Sequence, residues 1–491
     1  MAYLKHAGCI YVGGEWQQTD NREAVINPAD ETLLIEAPVG SAAQVEAAIA
    51  AARDAFDSGN WPLLPMRDRQ AMMTRFLDAI DARKGEIIDM IVAEAGATRM
   101  LAEFLQYGIP MKHARRTVEV ASRPALTPLP LELTPNAQGG KTLGTGVVSR
   151  EPVGVVAAIS PYNFPFFLNI GKVVPALLVG CTVVLKPSPY TPMQALILGE
   201  IADEVGLPKG VFSVVTGDIE AGRLLTSDPR VDLVHFTGSD KVGEMIQAQG
   251  APTLKRIVME LGGKSALIVR ADADIQQAAI AGLGGFTVHS GQGCALTTRH
   301  LVHNSVRPQF VAALKAMLSN VKIGNPTDPS VGFGPLIREV ARQRTESYVA
   351  IARDEGATLI SGGKRPVGFD KGFFFEPTLF DNVSNDSRLA QEEVFGPIGA
   401  VIGFDDDEQA IAMANASDFG LSGAIYSGDP GKAFEMALRI RTGGVSINGG
   451  AGTMQSDAPF GGIKRSGYGR EYGEDGLNEF TYQKVISFHA A

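Results

Sequence analysis

A chain of 491 residues is too long for one ordinary hydrophobic core and calls for two large domains, with room for a smaller appendage. Its 45% hydrophobic and 20% charged residues describe a folded globular protein, and a formal net charge of −10 without any concentrated strip of Lys and Arg speaks against a nucleic-acid partner. Three scattered cysteines, Cys9, Cys181 and Cys294, have neither zinc-site spacing nor the density of a disulfide scaffold, so no metal site is expected and a reducing, cytoplasmic setting fits.

The opening residues, MAYLKHAGCIYVGGEW, lack the apolar core of a signal peptide. Between about residue 45 and residue 120 the pattern is helical, with amphipathic runs from Ser41 to Phe56 and from Met66 to Ala82 that supply scaffold. From Arg123 to Arg150 prolines and then Gly139, Gly140, Gly144 and Gly146 break helices and suit an extended excursion or hairpin. From Val153 onward the short aliphatic strands VGVVAAI, TVVLK, VFSVV and DLVHFTG alternate with helices. That alternation implies right-handed crossovers in a parallel, doubly wound sheet, the natural dinucleotide domain. The longest apolar stretch, Val173 to Leu185, is broken by Pro175 and Gly180 and falls short of the roughly 18 residues of a membrane span. After Leu261 a second α/β series runs through SALIV, Cys294, LVH, a helix near Val311 and TLIS. The tail from Asn478 to Phe488 reads as one strand, paired with the early hairpin or with another subunit.

Cys294 lies in HSGQGCALTTR, where Gly291 and Gly293 let the backbone expose the sulfur and bring its own N–H to a reacting group. Such a cysteine is either a nucleophile or a small hydrophobe, and Cys9 and Cys181 fit the second description better. Glu260 ends the strand RIVME ahead of LGGK, where α/β enzymes place functional groups, and serves either as a base or as a surface partner of Lys264. Asn163, between Pro161 and Pro165, is either a turn former or a carboxamide donor to an oxyanion. Lys186 closes a strand in VVLKPSPYTP, and FTGSDKVG places Gly238, Ser239 and Gly243 at a helix start whose N–H groups suit a pyrophosphate. TGDIEAG, with Gly217 and Gly222, offers a second glycine-framed turn, while the G-x-G-x-x-G fingerprint is absent.

Taken in order, PYNFP, KPSPYTP, FTGS, MELGGKS, GQGC, EEVFGP and PFGGIKRSGYGRE closely resemble the aldehyde dehydrogenase superfamily over nearly the whole chain. The resemblance implies an α/β fold with a Rossmann-like cofactor domain, an α/β catalytic domain and a small β oligomerisation element. On this chain the cofactor domain takes residues 1–122 and 147–260, the catalytic domain 261–455, the oligomerisation element 123–146 and 478–491, and 456–477 return to the cofactor domain. By motif position Cys294 resembles the nucleophile, Asn163 the oxyanion donor and Glu260 the general base, with Lys172 and Glu471 in a proton path behind Glu260. The implied cofactor contacts are Lys186, Ser239, Glu393 and Phe395, joined by Ile159, Ser160, Ser188, Gly217, Gly222, Gly238 and Leu261. Phe166, Phe167, Leu168, Gly171, Val288 and Phe460 offer an apolar substrate lining suited to an uncharged aliphatic or aromatic aldehyde, or they are core. His289 and Arg299 lie near Cys294 in sequence and establish no anionic substrate site.

The implied reaction is NAD(P)-linked oxidation of an aldehyde to its acid through a thiohemiacetal and a thioester. Pro189 stands where many NAD-preferring relatives carry a glutamate facing the adenosine ribose, which leaves NADP less strongly excluded, yet the motif adds no Arg to reward a 2′-phosphate, so NAD is preferred with NADP as an alternative. The expected partners are a small-molecule aldehyde and further copies of the chain, as a homodimer or homotetramer, with neither nucleic acid nor membrane. Competing readings are a coenzyme A-acylating relative, a structural protein that lost activity, and a cysteine hydrolase activated by His289.

Overall fold

The computed structural model describes residues 4–121 and 126–489. The expected boundary at residues 122 and 123, the start of the excursion at Arg123 and the last two residues of the tail fall outside the described residues.

Five short strands, Phe212–Val214, Thr182–Lys186, Val155–Ile159, Leu233–Thr237 and Arg256–Glu260, lie parallel in that spatial order. Their β-branched and aliphatic side chains are buried almost throughout, as expected when helices cover both faces of a parallel sheet. The chain runs outward from Val155–Ile159 on one side, then returns to Leu233–Thr237 on the other. The order therefore reverses between these two strands, and the crevice at their carboxyl ends is where a ligand fits an open α/β sheet.

The sheet is not purely parallel. Cys9–Val12 pairs antiparallel with Phe212–Val214 and is itself flanked by Glu15–Gln18, while Gly467–Tyr468 closes the other edge antiparallel to Arg256–Glu260. The first two strands, and the ribbon of Asn21–Ile26 with Leu33–Val39, have no counterpart in the sequence reading, because each is too short for periodicity to show. The two amphipathic runs form helices Ala42–Asp57, with a Ser41–Gln44 capping box, and Met66–Ala82. Later in this helical region, Ala102–Gly108 winds as a π-helix.

A second, seven-stranded sheet contains Ala266–Val269, Arg299–His303, Ile398–Phe404 and Gly423–Tyr426, with the TLIS segment as the edge strand Thr358–Ser361. The excursion forms a third sheet, in which Lys141–Pro152 pairs with Leu126–Pro128, Glu132–Pro135 and the tail strand Thr481–His489. The tail strand's partner is thus the hairpin of its own chain. Among the described residues, no helix is long and apolar enough to cross a membrane.

Candidate active site

Cys294 follows a turn with unusual backbone geometry. His289, Ser290 and Gly291 all have positive φ, at 48°, 55° and 76°. Two consecutive non-glycine residues in the left-handed region persist only where the surroundings hold them. The Ser290 hydroxyl donates to the Gly334 carbonyl at 2.7 Å, and the Gln292 side chain is fixed between the His289 carbonyl at 3.1 Å and the Ile337 N–H at 3.0 Å. A Cβ at Gly291 would lie 2.2 Å from the Gly396 carbonyl oxygen, and one at Gly263 would lie 2.4 Å from the Cys294 carbonyl oxygen. Both positions require glycine for this close approach.

Cys294 is half-buried, whereas Cys9 and Cys181 are buried. Enclosure of the Cys294 sulfur, then the carboxylates of Glu260, Glu393 and Glu471, push its thiol well above the ordinary range. The resting group is therefore a thiol, and its proton has to leave before attack.

Asn163 sits in the loop after strand Val155–Ile159. Its Nδ2 donates to the Gln292 carbonyl at 2.8 Å, tying the carboxamide to the loop two residues before Cys294. Its own carbonyl accepts from Gln106 Nε2 at 3.1 Å, so the π-helical segment positions this loop. The second N–H of the carboxamide remains for a ligand oxygen.

Glu260 ends its strand 1% exposed, and among the described residues both its carboxyl oxygens lack a hydrogen-bond partner. The surface pair with Lys264 does not form, because Lys264 is itself buried and makes no ion pair with Glu260 among the described residues. Behind Glu260, Lys172 Nζ donates to Glu471 Oε1 at 2.5 Å and to Thr237 Oγ1 at 2.7 Å, while His235 Nε2 lies 3.0 Å from the same glutamate oxygen. Burial alone would raise both carboxyls. For Glu471 the Lys172 ammonium reverses this and holds it at about 2, whereas burial and then the Glu471 charge drive Glu260 well above its usual value. Two neighbouring carboxyls shifted in opposite directions are an acid–base arrangement.

The sheet reversal gathers the sequence-expected cofactor positions. Ser160 follows Ile159 and its N–H donates to the Lys186 carbonyl at 3.1 Å, while its hydroxyl lies 2.5 Å from Asn169 Oδ1. Ser188 Oγ accepts from the Tyr190 N–H, closing the turn after Lys186. Among the described residues the buried Lys186 ammonium has only the Pro187 carbonyl, at 3.3 Å, as hydrogen-bond partner, and burial pulls it down to about 8. A Cβ on Gly222 would lie 3.8 Å from Lys186 Cε, and Gly217 precedes that same helix with φ 153°. Gly238 and Ser239 lead into helix Asp240–Gly250, with Ser239 as its N-cap, and Asp240 in that first turn is balanced by Arg465 at 2.6 Å. Leu261 packs under this helix, close enough that a Cβ on Gly243 would meet it at 2.9 Å. Glu393 accepts from the Gly263 N–H at 3.0 Å, and burial raises its carboxyl to about 7. Phe395, with φ 58°, meets the Tyr162 ring edge-on at 6.1 Å. An under-partnered buried ammonium at the carboxyl end of its strand, in a sheet whose order reverses nearby, fits a dinucleotide ligand.

Phe167, Leu168 and Gly171 occupy the part-exposed side of helix Pro165–Val179, and Val288 and Phe460 are also part-exposed. Phe166, by contrast, is a core residue, fully buried and stacked on Tyr107 at 5.2 Å. Arg299 is spent on the carbonyls of Lys264, Met413 and Ala414. His289 turns its ring toward Phe164 at 5.3 Å, burial lowers it to about 4, and no hydrogen bond joins it to Cys294 among the described residues. The geometry gives the hydrolase reading no activating histidine.

With these positions established, the chain matches the aldehyde dehydrogenase family over residues 16–486. It belongs to that family. A Staphylococcus aureus (strain USA300) relative carrying the family's name is 38% identical over 481 residues, covering 97% of this chain and 98% of its own. An aldehyde dehydrogenase of Mycobacterium tuberculosis, solved in complex with NAD+, superposes with TM-score 0.92 at 40% identity over 98% of both chains. The betaine aldehyde dehydrogenase of Staphylococcus aureus, also with NAD+, superposes with TM-score 0.93 at 34% identity over 99% of this chain and 95% of its own. This aldehyde dehydrogenase oxidises an aldehyde to its carboxylic acid. Thr237 and Gln292 lie within FTGS and GQGC but have no assigned role there, while Gln106 and Tyr472 lie outside the sequence reading and are brought in by contacts between distant segments.

Proposed function

We propose that Cys294, Asn163 and Glu260 carry the chemistry, with Lys172 and Glu471 as the path by which Glu260 exchanges protons. The observation that carries this reading is the buried Glu260 carboxyl, without a hydrogen-bond partner, beside an ionised Glu471–Lys172 pair. The Cys294 sulfur, once deprotonated, adds to the aldehyde carbon. The second N–H of Asn163 and the Cys294 backbone N–H face the oxygen that becomes negative in the thiohemiacetal. NAD, when bound, supplies the acceptor for the hydride that leaves this carbon. Lys186, Ser188 and Ser239 suit its phosphates and ribose, with Ile159, Ser160, Gly217, Gly222, Gly238 and Leu261 shaping the crevice. Glu393 and Phe395 suit its nicotinamide end.

The acyl group then remains on Cys294 as a thioester. Glu260 takes a proton from water as the water oxygen attacks the acyl carbon, and the Cys294 thiolate departs with the electron pair. A base in this position favours hydrolysis over transfer to coenzyme A.

The substrate is an uncharged aliphatic or aromatic aldehyde, in keeping with Phe167, Leu168, Gly171, Val288 and Phe460. NADP serves as a second cofactor, since Pro189 places no carboxylate where a 2′-phosphate would lie. The chain divides into the domains expected from its sequence and works in a reducing cytoplasm. It assembles as a dimer or tetramer through the third sheet, where Leu131, Leu133, Val485 and Phe488 are exposed. The test is cofactor reduction with aliphatic and aromatic aldehydes, NAD and NADP being compared for wild type, Cys294→Ala and Glu260→Gln. Activity that survives Cys294→Ala rejects the covalent mechanism.

A further inference from the structure

Three rings meet on the part-exposed side of helix Pro165–Val179. The Tyr472 ring lies 5.7 Å from Phe167 and 4.8 Å from His113, and His113 lies 6.0 Å from Phe167. The Tyr472 hydroxyl is directed at Gly171, where an added Cβ would approach it to 2.8 Å. Only glycine at 171 leaves room for this phenol, so the two positions act as a matched pair. Tyr472 itself has φ 61°, an unfavourable conformation for a bulky residue.

The polar atoms of this cluster are incompletely matched. Tyr472 is 8% exposed and His113 is 2% exposed, yet among the described residues the Tyr472 hydroxyl lacks a hydrogen-bond partner, and the His113 ring faces only the Met454 backbone carbonyl, which leaves one ring nitrogen over. A buried hydroxyl left unpaired is destabilising, so such a group in a native protein calls for an explanation. Both residues border one crevice, together with Pro110, Ile170, Gly171 and Leu477. Tyr472 directly follows Glu471, whose carboxylate pairs with Lys172, the residue after Gly171. The phenol therefore stands beside the Glu471–Lys172 pair, against Phe167 and Gly171.

We propose that Tyr472 and His113 recognise a hydroxyl group on the substrate, and that the preferred aldehyde is an aromatic one bearing a ring hydroxyl. This rests on the reading of Cys294 as the nucleophile and of the Phe167–Gly171 face as the substrate wall. The Tyr472 O–H donates to the substrate hydroxyl oxygen, and a neutral His113 accepts the substrate's proton on one ring nitrogen. The aromatic walls suit a planar ring. A site built to hydrogen-bond a substrate hydroxyl rejects an analogue lacking it, because its own polar groups then stay unpaired.

The test compares kcat/KM for para- and meta-hydroxybenzaldehyde with kcat/KM for benzaldehyde in wild type, Tyr472→Phe and His113→Phe. Wild type should favour at least one hydroxylated aldehyde by about tenfold or more, and Tyr472→Phe should bring that ratio close to one. Benzaldehyde turnover by wild type, and its loss in Cys294→Ala, reports separately on the underlying mechanism. Independent of folding in the Tyr472 variant, calorimetry on Cys294→Ala should show para- or meta-hydroxybenzamide binding more tightly than benzamide. A wild-type ratio near one, or equal binding of the amides, overturns the proposal and leaves the crevice to a fixed water.

Discussion

Lys172 and Glu471, 299 positions apart in the chain, meet in an ion pair of 2.5 Å whose side chains are both 0% exposed. Such a pair is a weak source of net stability, because desolvation offsets most of its attraction, but it is costly to break on one side. Lys172→Met should destabilise the fold by about 3–5 kcal/mol through the uncompensated Glu471 carboxylate, while Lys172→Met with Glu471→Leu should restore most of that loss. Chemical denaturation of the single and double variants checks both statements. A single variant as stable as wild type would show that water reaches the site.

The raised Glu260 carboxyl has a kinetic consequence with a definite sign. A base works only when deprotonated, so thioester hydrolysis should fall as pH drops through the elevated Glu260 value, well above the normal glutamate range. Glu260→Gln should form about one NADH per active site in a burst and then turn over slowly, with the acyl group retained on Cys294. Stopped-flow absorbance and intact-protein mass measurement distinguish this from a variant with no burst, which would place Glu260 in the first chemical step instead.

Asn163 holds the nucleophile loop through Gln292 and has one N–H left for the oxyanion. Asn163→Ala should lower kcat by about 10²–10³-fold, the usual cost of losing one oxyanion donor. Equal losses in kcat and kcat/KM are expected, together with a lowered melting temperature from the lost Gln292 hydrogen bond. A lowered melting temperature with kcat nearly intact would instead assign the residue to loop support.

Lys186 has a depressed ammonium, at about 8, because burial disfavours its charge. Its positive form predominates below that value and is lost above it, so NAD affinity should weaken as pH rises past about 8 in the free enzyme. Fluorescence titration of NAD into wild type and Lys186→Gln across this range tests the point. A pH trend that persists in the variant removes Lys186 from the binding equilibrium.

Gly291 offers a stability test of the nucleophile turn. With φ 76° and the Gly396 carbonyl 2.2 Å from any added Cβ, Gly291→Ala should cost about 1–3 kcal/mol from overpacking alone and displace Cys294. Thermal unfolding and activity should fall together. A stable but inactive variant would mean the turn rearranges and only catalysis depends on its shape.

The sequence by itself determined the family, the alternation that builds the parallel strands, and the positions of Cys294, Glu260 and Asn163 along it. Ordered motifs and local periodicity carry that information, because the loop after each strand sets where a residue can act. The sequence could not show the short N-terminal strands, which are pinned to the sheet by a partner some two hundred positions away. Nor could it separate Phe166 from Phe167. Adjacent helical residues point in different directions, and only packing against Tyr107 decided that the first belongs to the core. The opposite shifts of the Glu260 and Glu471 carboxyls are likewise a tertiary outcome. Two glutamates with the same intrinsic chemistry differ because the folded chain delivers the Lys172 ammonium to one of them, and leaves the other buried without a hydrogen bond.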